Sequence, residues 1–229
     1  MREIGAAIAA ACLCSLSTMA RAQDRPVMVR ENLPKKAVCL VCSQGGEEHG
    51  EEKPAGGVAY GGKTYYFCNR REIDAFVKNP DAYLPAPLPR PAPAFALKTV
   101  AGETITSEQL MKNRVLLVDF WATWCGPCVK AMPELQKLHE RLGADGRFSV
   151  VGISIDEEGA KKVAPFLAKS KTRFSYPMLI DSGDVWKQWG VKSLPTVLLV
   201  RDGRIIDAWS GKVRPATVEA AIRKALEAD

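Results

Sequence analysis

Val115-Leu-Leu-Val-Asp-Phe-Trp-Ala-Thr-Trp-Cys-Gly-Pro-Cys128 is the stretch on which the reading of this chain turns. Val115 to Phe120 is a short apolar, β-branched run of the kind that forms a buried strand. Trp121 to Cys128 follows at once and reads as the passage from that strand into a helix. A cysteine at a helix start meets unpaired backbone N–H groups and the positive end of the helix dipole, and both favour the thiolate. Cys125 is therefore expected to attack a disulfide, and Cys128, one turn later, to resolve the mixed disulfide so formed. Half of a zinc site and an inert structural disulfide are the competing uses of such a pair. No second cysteine pair or histidine stands near enough in this part of the sequence to complete a zinc site.

The flanking patterns give the fold class. Leu135, Leu138 and Leu142 share a helical face that Gly143 would end. Arg147 to Ile155 then alternates as a second strand ending at Asp156. Thr196 to Val200 and Ile205 to Trp209 flank Asp202-Gly203, a dipeptide that joins hairpin strands. Val218, Ala221, Ile222, Ala225 and Leu226 make an i, i+3, i+4, i+7, i+8 stripe on a last helix. Strand, helix, strand, helix, hairpin and helix predict an α/β domain, a mixed central sheet flanked by helices.

The 229 residues are 47% hydrophobic and 25% charged, the balance of a globular protein of one or two domains. The net charge of +6 is spread without blocks, and no phosphate-cradling glycine motif occurs, so nucleic acid is not an expected partner. An uncharged Ala-rich run from Ile4 to Ala20, then Ala20-Arg21-Ala22, predicts a signal peptide over residues 1–22; a membrane anchor and a lipid anchor at Cys12 are the weaker alternatives. Export to the periplasm or outside the cell sets an oxidising compartment. Removing Cys12 and Cys14 then leaves Cys39, Cys42, Cys68, Cys125 and Cys128. An odd number cannot all pair within one chain.

Prolines at 85, 87, 89, 91 and 93 predict a polyproline-like linker over residues 85–94, separating a small module at 34–84 from the α/β domain at 95–229. A module of that size usually needs disulfides or a metal to stay folded.

Val118-Asp-Phe-Trp-Ala-Thr-Trp-Cys-Gly-Pro-Cys128 resembles the active-site signature of the thioredoxin superfamily. The rest of the domain resembles its exported TlpA/ResA-type thiol-disulfide oxidoreductases. Phe95-Ala-Leu-Lys, Gly102-Glu-Thr-Ile, Val151-Gly-Ile-Ser-Ile-Asp156, the stretch around Ala160 to Asp181 and Gly190-Val-Lys-Ser-Leu-Pro-Thr196 carry that likeness. It implies a thioredoxin fold and a disulfide reductase that needs no cofactor for its redox step. Pro195 matches the cis-proline facing the CxxC, so that Trp124, Leu194 and Pro195 would line the substrate groove. Pro133 matches the helix-kinking proline. Asp119 matches the buried carboxylate beneath the second cysteine and would take the proton of Cys128; a hydrogen-bonded core aspartate is the plainer alternative. Ala131 stands where some relatives have a glutamate. His139, Trp186, Trp189 and Trp209 read as surface and packing residues.

Cys39-Leu-Val-Cys42 with Cys68 supplies three soft ligands for zinc or copper. Ala37-Val-Cys39, Gly61-Gly-Lys-Thr-Tyr-Tyr-Phe-Cys68, Phe76 and Asn79-Pro-Asp-Ala-Tyr-Leu84 resemble the YHS family of small metal-associated modules. Glu72 stands where members often have another cysteine. Glu72 and His49 are the candidates for a fourth ligand, and a Cys39–Cys42 disulfide with Cys68 free is the rival arrangement. Two functions follow from these readings. One is an exported reductase of disulfide-containing proteins, recharged by an unidentified membrane electron donor. The other is a metal-binding protein or metallochaperone whose thioredoxin domain maintains metal-site cysteines.

Overall fold

The computed structural model describes residues 25–44, 50–112, 115–211 and 213–228. The expected signal peptide and His49 lie outside them. No helix among the described residues is long and apolar enough to cross a membrane. The chain divides into two compact units, Met1–Cys39 with Glu51–Pro80, and Leu40–Gly50 with Asp81–Asp229.

The first unit is an antiparallel sheet of β1 (Val27–Val29), β2 (Gly56–Tyr60) and β3 (Lys63–Phe67) in the order β1-β2-β3. The sheet therefore starts ahead of the boundary expected at residue 34. Gly61 and Gly62 turn the β2–β3 hairpin with φ of 57° and 74°, a left-handed pair that side-chain-bearing residues resist. The short helix α1 (Leu40–Gln44) falls between β1 and β2 in the chain, and α2 (Arg70–Lys78) follows β3. The Asn69 side chain caps α2 by accepting the Glu72 N–H at 3.0 Å. Ile73 and Phe76 are buried on α2, and Phe76 meets the rings of Tyr60, Tyr65 and Phe67 at centroid distances of 6.1, 5.4 and 5.1 Å.

The second unit contains β4 (Arg90–Pro91), β5 (Ala96–Thr99), β6 (Thr104–Thr106), α3 (Ser107–Met111), β7 (Val115–Trp121), α4 (Gly126–Leu142), β8 (Phe148–Ser154), α5 (Ala160–Lys169), β9 (Met178–Ile180), α6 (Val185–Gln188), β10 (Thr196–Arg201), β11 (Arg204–Ser210) and α7 (Pro215–Glu227). Its eight strands run in the order β4-β11-β10-β7-β8-β9-β5-β6. β7, β8 and β9 are parallel neighbours, while β10 and β11 are antiparallel. Every residue of β7 and β8 is buried, as strands covered on both faces must be. Each large apolar side chain buried there is worth roughly 1.5–3 kcal/mol relative to exposure. The expected α/β thioredoxin fold is thus the one observed. α4 buries Leu135 and Leu138 and ends at Gly143, and Arg141 on α4 pairs with Glu219 on α7.

Part of the proline-rich stretch behaves differently from a free spacer. Arg90 and Pro91 pair with Ile205 and Arg204 as an edge strand, and Ala92 N–H donates to the Gly203 carbonyl at 2.9 Å. Pro91 is tolerated there because an edge strand leaves one side of its backbone unpaired. The Arg90 guanidinium reaches the Trp189 carbonyl, fixing the stretch to the domain.

Candidate active site at the end of strand β7

β7 ends at Trp121, and Ala122-Thr-Trp124 leads into α4. The Cys125 N–H donates to the Ala122 carbonyl at 3.1 Å, closing the turn. Asp156, just past β8, holds the turn from outside. Its carboxylate accepts the Thr123 N–H at 2.9 Å, the Thr123 hydroxyl at 2.6 Å and the Ser154 hydroxyl at 2.8 Å. The loop ahead of the cysteines is thereby tied to the neighbouring parallel strand. In the sequence Asp156 marks only a strand end; an Asp one residue after that strand's last apolar side chain is the signal available there.

Cys125 is the N-cap of α4. The Cys128 N–H points at its Sγ at 3.3 Å, and Gly126 and Pro127 follow in the first turn, where a missing proline N–H costs nothing. A thiolate at Cys125 would therefore receive both that N–H and the field of the helix start. In this structure Cys125 and Cys128 are joined as a disulfide, their Cα atoms 5.3 Å apart. Cys128 is the more buried, 1% exposed against 6% for Cys125, whereas the preceding Trp124 is 68% exposed.

Leu194–Pro195 is a cis peptide immediately before β10. The register Thr196 opposite Phe120 puts it at the end of the sheet where β7 delivers the cysteines. The Pro195 carbonyl accepts the Gly211 N–H at 3.0 Å, and the Thr196 hydroxyl donates to the Ser193 carbonyl at 2.7 Å.

Asp119 lies on β7 and is 2% exposed. Burial pushes its carboxyl up from 3.8 to about 7, because the charged form is poorly solvated there. Across the strand pair stands Gly152, and the absence of a side chain matters. A Cβ at Gly152 would lie 2.7 Å from the Met178 Sδ, 3.2 Å from the Trp121 Nε1 and 3.4 Å from the Tyr176 ring. Glycine thus admits the two rings that close over this part of the strand. Tyr176 is raised too, by burial first and then by the Asp119 charge, so the two groups feel one another. Tyr176, which no sequence pattern marks, also packs edge-on against His139 at 5.8 Å. His139 is half-buried rather than a surface residue, and Trp189 is fully buried against Phe95 and Phe120.

In the first unit, Cys39 is buried and donates its thiol to the Glu72 Oε2 at 3.1 Å, and Cys68 approaches the same oxygen at 3.5 Å. Their sulfurs and a Glu72 carboxylate oxygen lie within 4.8 Å of one another. Cys42 stands on α1, three residues after Cys39 in the chain, and none of the three cysteines is in a disulfide. Two zinc ligands about 2.3 Å from a tetrahedral ion sit about 3.8 Å apart, so this donor set fits zinc with little adjustment. Glu72, marked in the sequence as a departure from cysteine, is the residue that the fold brings to the thiols.

Residues 88–212 match the AhpC/TSA family. Over 135 residues the chain is 30% identical to the thiol-disulfide oxidoreductase ResA of Bacillus thuringiensis subsp. konkukian, covering 58% of this chain and 75% of that protein. Over 136 residues it is 35% identical to the thiol:disulfide interchange protein DsbE homolog of Paracoccus denitrificans, covering 58% and 72%. A crystal structure described as a thiol:disulfide interchange protein DsbE from Chlorobium tepidum superposes with a TM-score of 0.52 at 29% identity, over 60% of this chain and 94% of that one. The chain belongs to the AhpC/TSA family, and it is a thioredoxin-like thiol-disulfide oxidoreductase of the ResA and DsbE type.

Proposed function

We propose that the chain is an exported reductase that transfers two electrons from the Cys125–Cys128 dithiol to disulfides of periplasmic proteins. The observation that carries this reading is Cys125 at the start of α4, the Cys128 N–H aimed at its sulfur, with Asp119 buried on the adjoining strand. The Cys125 thiolate attacks one sulfur of the substrate disulfide; that S–S bond breaks, and the other sulfur leaves as a thiolate and takes a proton from water. Cys128 then gives its proton to the Asp119 carboxylate and attacks the Cys125 Sγ. The second substrate sulfur departs, receives a proton, and the Cys125–Cys128 disulfide remains. Trp124, Leu194 and Pro195 border the place where the substrate chain would lie. A dithiol donor at the membrane has to return the pair to its reduced form. Export rests on the residue pattern ending at Ala22, and it predicts a mature protein beginning at Gln23.

The test is the reduction potential together with insulin reduction. A potential toward the thioredoxin value of about −270 mV, with turnover lost in Cys125→Ser, is expected. A value near the DsbA end, about −120 mV, with oxidation of a reduced test protein, would reverse the direction of electron flow.

A second reading, favoured by the thiols of Cys39 and Cys68 on one oxygen of Glu72, gives the N-terminal module a metal held by these three residues. The carboxylate favours zinc over the softer Cu(I), and bound metal would stabilise the small unit directly. Elemental analysis of purified protein should find about one zinc per chain, reduced in Cys68→Ser and Glu72→Ala. Metal-free protein with a Cys39–Cys42 disulfide would end this reading.

A further inference from the structure

β7, β8 and β9 are parallel neighbours, so the loops at their carboxyl ends lie side by side, the usual place for a binding crevice in a sheet of this kind. The register of Trp121 with Ser154 and Ser154 with Ile180 aligns the three exits, and the Asp181 N–H donates to the Ser154 carbonyl at 2.8 Å. Between these loops runs an open groove of about 770 Å³, large enough to hold a ligand segment. Trp124, the chain neighbour of Cys125, is among its lining residues, which places one end of the groove beside the CxxC turn.

The groove's charge opposes that of the chain. Asp156, Glu157 and Glu158 line it from the β8 exit and Asp181 and Asp184 from the β9 exit, with Lys187 the one basic residue among its lining. The whole chain, by contrast, carries +6. Asp156 and Asp181 are engaged by local donors, Asp181 accepting the N–H groups of Gly183, Val185 and Trp186 at 2.8–3.0 Å. Their charges are therefore fixed in place. Glu157 and Glu158 are exposed; Glu158 only grazes Lys162 at 4.0 Å, and Glu157 has no ion-pair partner among the described residues. Two indoles complete the walls. Trp124 is 68% exposed, which leaves its ring face open to a ligand at the groove's edge. Trp186 already holds a cation, the Lys187 Nζ, 5.2 Å from its ring centroid. A ring face beside fixed carboxylates attracts ammonium and guanidinium groups.

We infer that this groove docks a lysine- or arginine-bearing segment of the disulfide-containing polypeptide, seating it beside Cys125. The inference rests on the reductase reading and names its substrate class: disulfides flanked within a few residues by basic side chains. Anionic flanks would meet four net negative charges on approach, counting five carboxylates against Lys187.

The test uses two disulfide peptides identical except for flanking lysines or glutamates, with the full-length protein. kcat/KM should favour the basic peptide by roughly tenfold or more at low ionic strength, and the preference should shrink as salt rises. The double variant Glu157→Gln, Glu158→Gln should lose most of the preference while reducing an uncharged peptide as before. Equal rates for both peptides, or a preference untouched by the double variant, would overturn the inference. If neither peptide is reduced, the reductase reading falls instead. Quenching of tryptophan fluorescence by the same peptides with serine for cysteine then decides the groove separately, tight binding of the basic one alone supporting it and absence of a difference refuting it.

Discussion

Replacing Asp119 by asparagine keeps the side chain's size and removes its ability to take a proton. With its carboxyl raised to about 7, roughly half the wild-type molecules carry the charged, proton-accepting form at neutral pH. Without it, Cys128 must ionise alone. An ordinary thiol near 8.5 is only about 3% thiolate at pH 7 and mostly thiolate by pH 9. Asp119→Asn should therefore slow the resolving step roughly fifteenfold at pH 7 and leave it within about twofold of wild type at pH 9. The assay is stopped-flow reaction of reduced protein with an aromatic disulfide, in which attack by Cys125 and resolution by Cys128 release the two chromophoric thiols in sequence. Slowing by the same factor at every pH would refute the reasoning and leave Asp119 a packing residue. The same burial has a consequence for stability. A group raised from 3.8 unfolded to about 7 folded contributes stability that is complete below pH 4 and lost as pH rises through 7, worth about 4 kcal/mol. Asp119→Asn should remove that slope, so the variant gains on wild type as pH increases, which urea unfolding at several pH values measures.

Asp156→Ala removes the acceptor of three hydrogen bonds and frees the Thr123 loop; a loss of roughly 3 kcal/mol in urea unfolding is expected, and a loss below about 0.5 kcal/mol would mean the loop holds itself. Gly152→Ala forces a methyl against Met178, Trp121 and Tyr176, which should cost about 1–3 kcal/mol of stability and shift the pH profile of resolution, whereas an unchanged profile would show that Asp119 does not depend on how those rings pack.

The strand, the helix start and the two cysteines were legible because their signals are local. An apolar run, a CxxC and a leucine stripe each lie within one or two turns of chain. The hairpin at Asp202-Gly203 was legible for the same reason, and both residues take positive φ, 50° and 72°. The acidic groove was not. Asp156 to Glu158 and Asp181 to Asp184 are far apart in sequence, and only the parallel pairing of β8 with β9 sets their loops together. Trp186 read as packing for that reason, since no pattern on its own short helix says what faces it. The pinning of Thr123 by Asp156 escaped likewise, because the hydrogen bonds span two strands. In the first unit the choice between metal and disulfide rests in the sequence on the compartment and the odd cysteine count; the place of Glu72 beside the thiols of Cys39 and Cys68 was not legible, because it depends on how α2 is capped and packed against the sheet. Composition pointed to a spacer in the proline run, yet β11 has a free edge that Arg90 and Pro91 occupy.

The central claim is that Cys125 attacks and Cys128 resolves, and trapping tests it most directly. Cys128→Ser, reduced and mixed with a disulfide substrate, should accumulate one mixed disulfide per chain, seen as an adduct by intact-protein mass spectrometry and mapped to Cys125. Cys125→Ser should accumulate none under the same conditions. An adduct on Cys128 in the Cys125→Ser protein, with none on Cys125 in the other, would contradict the account.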